Sequence, residues 1–240
     1  MNSALGMGAV AKEQNVTENK DVAGPTPSEQ EIDEKPIVFD DKNGDAFVTS
    51  LEQVIKTHKI DENGIDRISK VIIDQGINVT ILDCFVSKPR STRRPLHVAV
   101  DKKALLLVKI ILAAGAKHDI DEKDSAGMTA LWLAVDQGHE DIALLLIDNA
   151  ASTIQLDANK CNILHLAAAR GLYKVVHKVC YELDKFEPGK IKLAKLLAQK
   201  NKAKVTPLDC ANNRENQAKY LDGNFARTVT TLKEFMVPKS

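Results

Sequence analysis

From Phe47 onward the apolar positions recur three and four residues apart, in short runs that stop and start again. In FVTSLEQVIKTHKI, Leu51, Val54 and Ile55 share one helical face. Gly64 interrupts. IDRISKVIIDQGINV then places Ile65, Ile68, Val71 and Ile72 at helical spacing and ends at Gly76, a helix-stop signal. The pattern predicts two short helices joined by a turn.

The same unit then returns. RPLHVAVDKKALLLVKIILAAGA begins at Arg94, TALWLAVDQGHEDIALLLIDNAA at Thr129, NILHLAAARGLYKVVHKVC at Asn162 and TPLDCANNRENQAKYL at Thr206. The third-place leucines Leu96, Leu131, Leu164 and Leu208 are 35, 33 and 44 residues apart. A period near 33 marks a stacked helical array.

Local chemistry explains the unit. Pro95 and Pro207 sit where a helix start tolerates a missing N–H. Thr129 and Thr206 offer hydroxyls to orphan N–H groups of the first turn. Leu96, Val98 and Ala99, with Leu131, Leu133, Ala134 and Leu164, Leu166, Ala167, form the inward side of the first helices, and the small alanines let neighbours come close. Gly138 and Gly171 end those helices so that the next can fold back. The second helices, LLLVKIIL, DIALLLI and YKVVHKVC, are apolar nearly all round, as helices between two neighbours should be. One such unit cannot bury its own apolar face, so the array exists only as a stack.

Asp124, Gly127, Thr129, Leu131, Ala134, Gly138 and His139 in one unit resemble the ankyrin repeat family. So do Pro95, Leu96, His97, Ala99, Gly115 and Ala116 in the unit before it. Asp157, Leu164, His165, Ala167, Ala168 and Gly171 follow the pattern next, then Thr206, Pro207, Leu208 and Ala211. The resemblance covers about Arg94 to Leu221, with a degenerate unit at 46–79. It departs at Lys102-Lys103, where a glycine is due, and at an insertion around 185–203. Ile191, Leu193, Ala194, Leu196 and Leu197 suggest an extra helix there. The fold expected is all-α: an acidic disordered tail at 1–40, an array at 41–225 and a capping helix with tail at 226–240. Units are expected at about 90–123, 124–156, 157–200 and 201–225.

The resemblance implies a protein partner on the concave side, formed by turn tips and first helices. The variable places of the pattern are Arg90, Ser91, Arg93, Asp101 and Lys102, then Ser125, Ala126, Met128, Asp136 and Gln137. Next come Ala158, Asn159, Cys161, Ala169 and Arg170, and finally Lys202, Val205, Asn213 and Arg214. Trp132, the single tryptophan, stands where the pattern has histidine. It reads either as a brace between turns or as an aromatic anchor for a partner. The resemblance also implies that His97 and His165 tie the turns together.

Charge narrows the function. Lys+Arg and Asp+Glu both total 33, which argues against a generic nucleic-acid binder and against general capture by an anionic membrane. Residues 1–40 carry three Lys against eight Asp/Glu, while 185–204 carry seven Lys against one Glu. A second basic cluster is Lys88, Arg90, Arg93 and Arg94. Either cluster reads as a solvated face or as a dock for an acidic peptide or anionic head group. No apolar stretch is long enough for a membrane span. Cys84, Cys161, Cys180 and Cys210 form no CxxC pair and read as reduced structural thiols. Neither Cys161 with His165 nor His177 with Cys180 has the setting of a catalytic dyad, and no metal or phosphate motif appears. The expectation is a monomeric, non-enzymatic adaptor of a cytoplasm, without cofactor or metal. The alternative is a small enzyme or inhibitor acting through 185–203 or the tail. A short array with such a tail and a Lys/Asn/Ile-rich composition also suits an effector that a bacterium delivers into host cytosol.

Overall fold

The computed structural model describes residues 37–40, 44–79, 84–85, 92–117, 119–221 and 223–237. Helices stack in two layers, as the all-α expectation requires. The inner layer is α1 (Gly44–Thr57), α3 (Pro95–Asp101), α5 (Ala130–Asp136), α7 (Ile163–Arg170) and α10 (Pro207–Asn212). The outer layer is α2 (Ile65–Asp74), α4 (Leu105–Ile111), α6 (Glu140–Asp148), α8 (Tyr173–Asp184) and α12 (Phe225–Met236). Each inner helix packs on the next inner helix, and each outer helix on the next outer one. Two extra helices, α9 (Glu187–Ala198) and α11 (Arg214–Lys219), lie outside this rule. A two-residue antiparallel pairing, β1 (Cys84–Phe85) with β2 (Thr92–Arg93), precedes α3.

The core runs between the layers. Leu131, Ile163 and Leu164 of the inner layer and Ile110, Ile111 and Leu146 of the outer layer are fully buried. Truncating such a side chain to Ala costs about 2–5 kcal/mol. Ala99, Ala134, Ala167 and Ala168 are buried as well, and their small volume sets the close approach of inner helices. The inner helices α3, α5 and α7 end on a left-handed residue: Lys103 (φ 52°), Gly138 (φ 75°) and Gly171 (φ 69°). Lys103 thus takes the glycine's conformation without being one. Gly171 is also sterically required, because a Cβ there would lie 2.8 Å from Gly223 Cα.

The two ends differ from the sequence expectation. The boundary at 40 shifts, because Ile37 and Phe39 are buried against the first helix pair. The Gln75 amide serves this segment: its Nε2 donates to the Ile37 carbonyl and its Oε1 accepts from Phe39 N–H. The remaining tail, 1–36, lies outside the described residues. At the other end, the second helix of the last unit is not the stretch that follows α10. The α11 segment, RENQAK, has no apolar side chain beyond one alanine and buries none of its residues. The outer place falls to α12, which buries Phe225, Thr228, Thr231 and Leu232 on one face against α8 and α10. The helix suggested within 185–203 is α9, entered through Pro188 in its first turn.

Candidate protein-docking face

The tips between helix pairs are built alike. Asp124 Oδ1 accepts from Ala126 and Met128 N–H, both at 2.9 Å. Asp157 Oδ1 accepts from Asn159 N–H at 2.8 Å and Cys161 N–H at 2.7 Å. Asn201 Oδ1 does the same for Val205 N–H at 3.1 Å. Gly127, Lys160 and Lys204 supply the left-handed residue of each tip. Caps follow: Thr129 accepts from Trp132 N–H, Asn162 from His165 N–H and Thr206 from Asp209 N–H. Asp209 returns the contact to Thr206, whose N–H and hydroxyl hold its carboxyl below the usual range.

Histidines join successive tips. His97 Nε2 lies 3.0 Å from the Met128 carbonyl, and His165 Nε2 lies 3.0 Å from that of Val205. A carbonyl only accepts, so each Nε2 carries the proton. In His165 this leaves Nδ1 to accept from Asn162 N–H at 3.2 Å. Burial lowers the His165 pKa from its ordinary 6.5 and favours this neutral tautomer. The tie between turns implied by the family pattern is therefore present at two joints.

The joint between them is different. Trp132 occupies the place of His97 and His165 and lies 9% exposed. Its indole does not bridge to the next tip. Instead Trp132, Met128 and Leu156, with Lys123, Ala126, Gly127, Gln155, Asp157 and Ala158, line a cavity of about 400 Å³. Ile154 (46% exposed) and Leu156 (45%) leave apolar surface in the loop beside it. Ser125 and Asn159 are exposed on the two flanking tips. Of the residues expected to meet a partner, Ala126, Met128, Trp132 and Ala158 line one cavity, and Ser125 and Asn159 are their exposed chain neighbours. Gln155 and Leu156 were not among them. The available signal was a pair of apolar residues, Ile154 and Leu156, in a stretch with no helical period.

Other expected residues face one another. Lys102 pairs with Glu52 at 2.9 Å, Gln137 Nε2 donates to Asp101, and Arg170 pairs with Asp136 at 3.3 Å. These are rungs of one ladder, each reaching back to the preceding helix pair. The Arg170 guanidinium also lies over the Tyr220 ring at 4.5 Å. With side chains of Lys102 and Glu52 at 42% and 27% exposure, such a rung is worth about 0–1 kcal/mol. Asn213 caps α11, accepting from Glu215 N–H at 2.7 Å, and Arg214 is exposed beside it. Arg93 is placed by its backbone in β2, and Arg90 lies outside the described residues.

Among the described residues no group of His, Cys, Asp and Glu is placed to hold a metal ion. Cys161, Cys180 and Cys210 are free thiols. Burial pushes Cys180 up to about 12 and Cys210 to about 11, so neither supplies a thiolate nucleophile near neutral pH. Cys84 is placed only by its backbone in β1. No helix of the described residues is long and apolar enough to cross a membrane.

Comparison with known proteins agrees with this geometry. Residues 96–189 match the family described as ankyrin repeats (3 copies). Over 93 residues the chain is 31% identical to a Saccharomyces cerevisiae protein named "Probable 26S proteasome regulatory subunit p28". The matched region is 39% of this chain and spans 38% of that relative's length. Ankyrin repeats are protein–protein interaction modules, and both similarities point to an interaction domain rather than a catalytic one. The spacing, the tips, the bridging histidines and the family match lead to one conclusion: the stretch 96–189 is built of ankyrin repeats.

Proposed function

We propose that the chain is an adaptor without catalytic activity of its own, and that it takes a partner protein at the tips around Trp132. The observation that carries this reading is the cavity at the joint where a bridging histidine is replaced. A lining that includes Trp132, Met128 and Leu156 suits a large apolar side chain presented by a partner loop. Ser125 and Asn159, exposed next to the lining residues Ala126 and Ala158, offer polar side chains beside it. The ladder residues Asp101, Lys102, Asp136, Gln137 and Arg170 hold adjacent repeats in register and so keep the tips at a set spacing. Cytoplasmic location and a monomeric state belong to the same proposal, the free thiols suiting a reducing compartment. Delivery into a host cell is part of it only on composition, and immunolocalisation tests it.

The test uses the single tryptophan as its reporter. Proteins captured by the full chain are titrated against it while Trp132 emission is followed. The reading expects an emission shift on binding and loss of capture by Trp132→His, with circular dichroism unchanged. Capture retained by a folded Trp132→His variant, with no shift in the wild type, overturns it.

A further inference from the structure

The extra helix α9 is not explained by the repeat. It lies across α8 and buries Gly189, Leu193, Leu196 and Leu197. The seat is tight: a Cβ on Gly189 would run into the Leu183 carbonyl oxygen, so no side chain fits between the helices. The opposite side faces solvent along its whole length. There Ile191, Ala194 and Ala198 fall at i, i+3 and i+7, one line down the helix. Lys190 lies on one flank of that line and Lys195 on the other, with Lys192 beyond. Ile191 is 59% exposed, Phe186 at the helix entry 54%, and Tyr181 on α8 51%. Three large apolar side chains more than half exposed in one short segment are unusual for a solvated face.

The charge of this side is only partly compensated. Lys190 pairs with Glu187 and Lys185 with Glu182. Lys192, Lys195, Lys200, Lys202 and Lys204 have no carboxylate within ion-pair distance among the described residues. The chain as a whole is neutral, so this excess is local. We propose that the outer side of α9 is a second docking surface, for an acidic amphipathic helix of a partner protein. The partner helix lays its apolar stripe along Ile191, with Phe186 at one end. Ala194 and Ala198 let its axis come within about 8–10 Å. Carboxylates beside that stripe meet Lys190, Lys192 and Lys195, the arrangement by which flanking charges choose a partner in helix pairs. A membrane is the poorer fit: Phe186, Ile191 and two alanines insert too little apolar surface for stable anchoring.

The surface is distinct from the Trp132 cavity, and the experiment separates the two. The probe is a labelled peptide of about three heptads, with leucine along one stripe and glutamate on both flanks, added to the full chain. Fluorescence anisotropy is read at low and high salt. The expectation is saturable binding that weakens with salt and that Lys190→Glu/Lys192→Glu/Lys195→Glu reduces by about ten-fold or more. Ile191→Ser weakens it too, while Trp132 emission stays unchanged. All four positions are exposed, so circular dichroism is expected to be that of the wild type. A peptide that fails to bind, or that binds the charge-reversed variant equally, overturns the proposal. So does co-sedimentation with phosphatidylserine vesicles in the absence of peptide binding.

Discussion

Two neighbouring joints of the array solve one problem differently. Between α7 and α10, His165 reaches from its helix to the Val205 carbonyl while its other nitrogen accepts from Asn162 N–H. Between α5 and α7, Trp132 holds the corresponding place and a cavity of about 400 Å³ opens instead. The histidine joint converts backbone polar groups into a closed, buried contact. The tryptophan joint gives up the bridge and leaves an open cavity lined in part by Trp132, Met128 and Leu156. In a repeat protein every unit shares the stacking task, so a unit that drops a bridging bond is where a task other than stacking fits.

The largest expected effect comes from breaking the closed joint. His165→Ala removes the bond to Val205 and leaves Asn162 N–H buried without its acceptor. The expected loss is about 2–3 kcal/mol, read as a lower denaturant midpoint. Trp132→Ala at the open joint costs less than the about 3–5 kcal/mol usual for truncating a buried tryptophan, because its ring already borders the cavity. A larger loss for Trp132→Ala than for His165→Ala would reverse the comparison.

Exchange sharpens it. Trp132→His offers the open joint the missing bridge, to the Cys161 carbonyl. Stability is expected to change by no more than about 1 kcal/mol, while partner capture falls about ten-fold. If capture is unaffected, the cavity is only a packing defect.

The pH dependence distinguishes the joints more finely. Burial holds the His165 pKa below 6.5, so the unfolded chain takes up this proton first as pH falls. The contribution is complete above about 6.5 and is lost as pH drops through that value toward the folded pKa. His139 is lowered by burial and by Lys103, and acts with the same sign. The difference between wild type and His165→Gln therefore isolates His165, and unfolding midpoints from pH 7.5 down to about 5 should converge. Trp132 does not titrate, so Trp132→Ala should leave the slope unchanged.

The smallest effect belongs to the ladder. Lys102→Ala should cost about 0.5 kcal/mol or less, shrinking with salt, since the rung is largely exposed. Arg170→Ala should cost more, because its side chain is 18% exposed and also covers Tyr220.

Much of this architecture is legible residue by residue. The recurrence of Leu96, Leu131, Leu164 and Leu208 announces the stack, and Thr129 and Thr206 announce helix starts. These signals are local: helical period, capping and left-handed turns depend on residues within one or two turns of each other. The outer place in the last helix pair was not legible. It went to α12 and not to the nearer α11, because only α12 has an apolar face to bury. Nor was the pairing of Asp101 with Gln137 and of Asp136 with Arg170, which makes ladder rungs of residues that look like free surface.

The sequence alone therefore determined the helices, their caps and the fact of a repeat, because each is decided by neighbours along the chain. The tertiary structure decided which residues remain open to a partner. That depends on what the adjacent repeat brings within reach, across 30 or more positions of sequence. Trp132 shows both sides of the division. Its departure from the histidine pattern is visible in one letter. Only stacking the tip at 124–128 against the stretch at 155–158 turns that letter into a cavity.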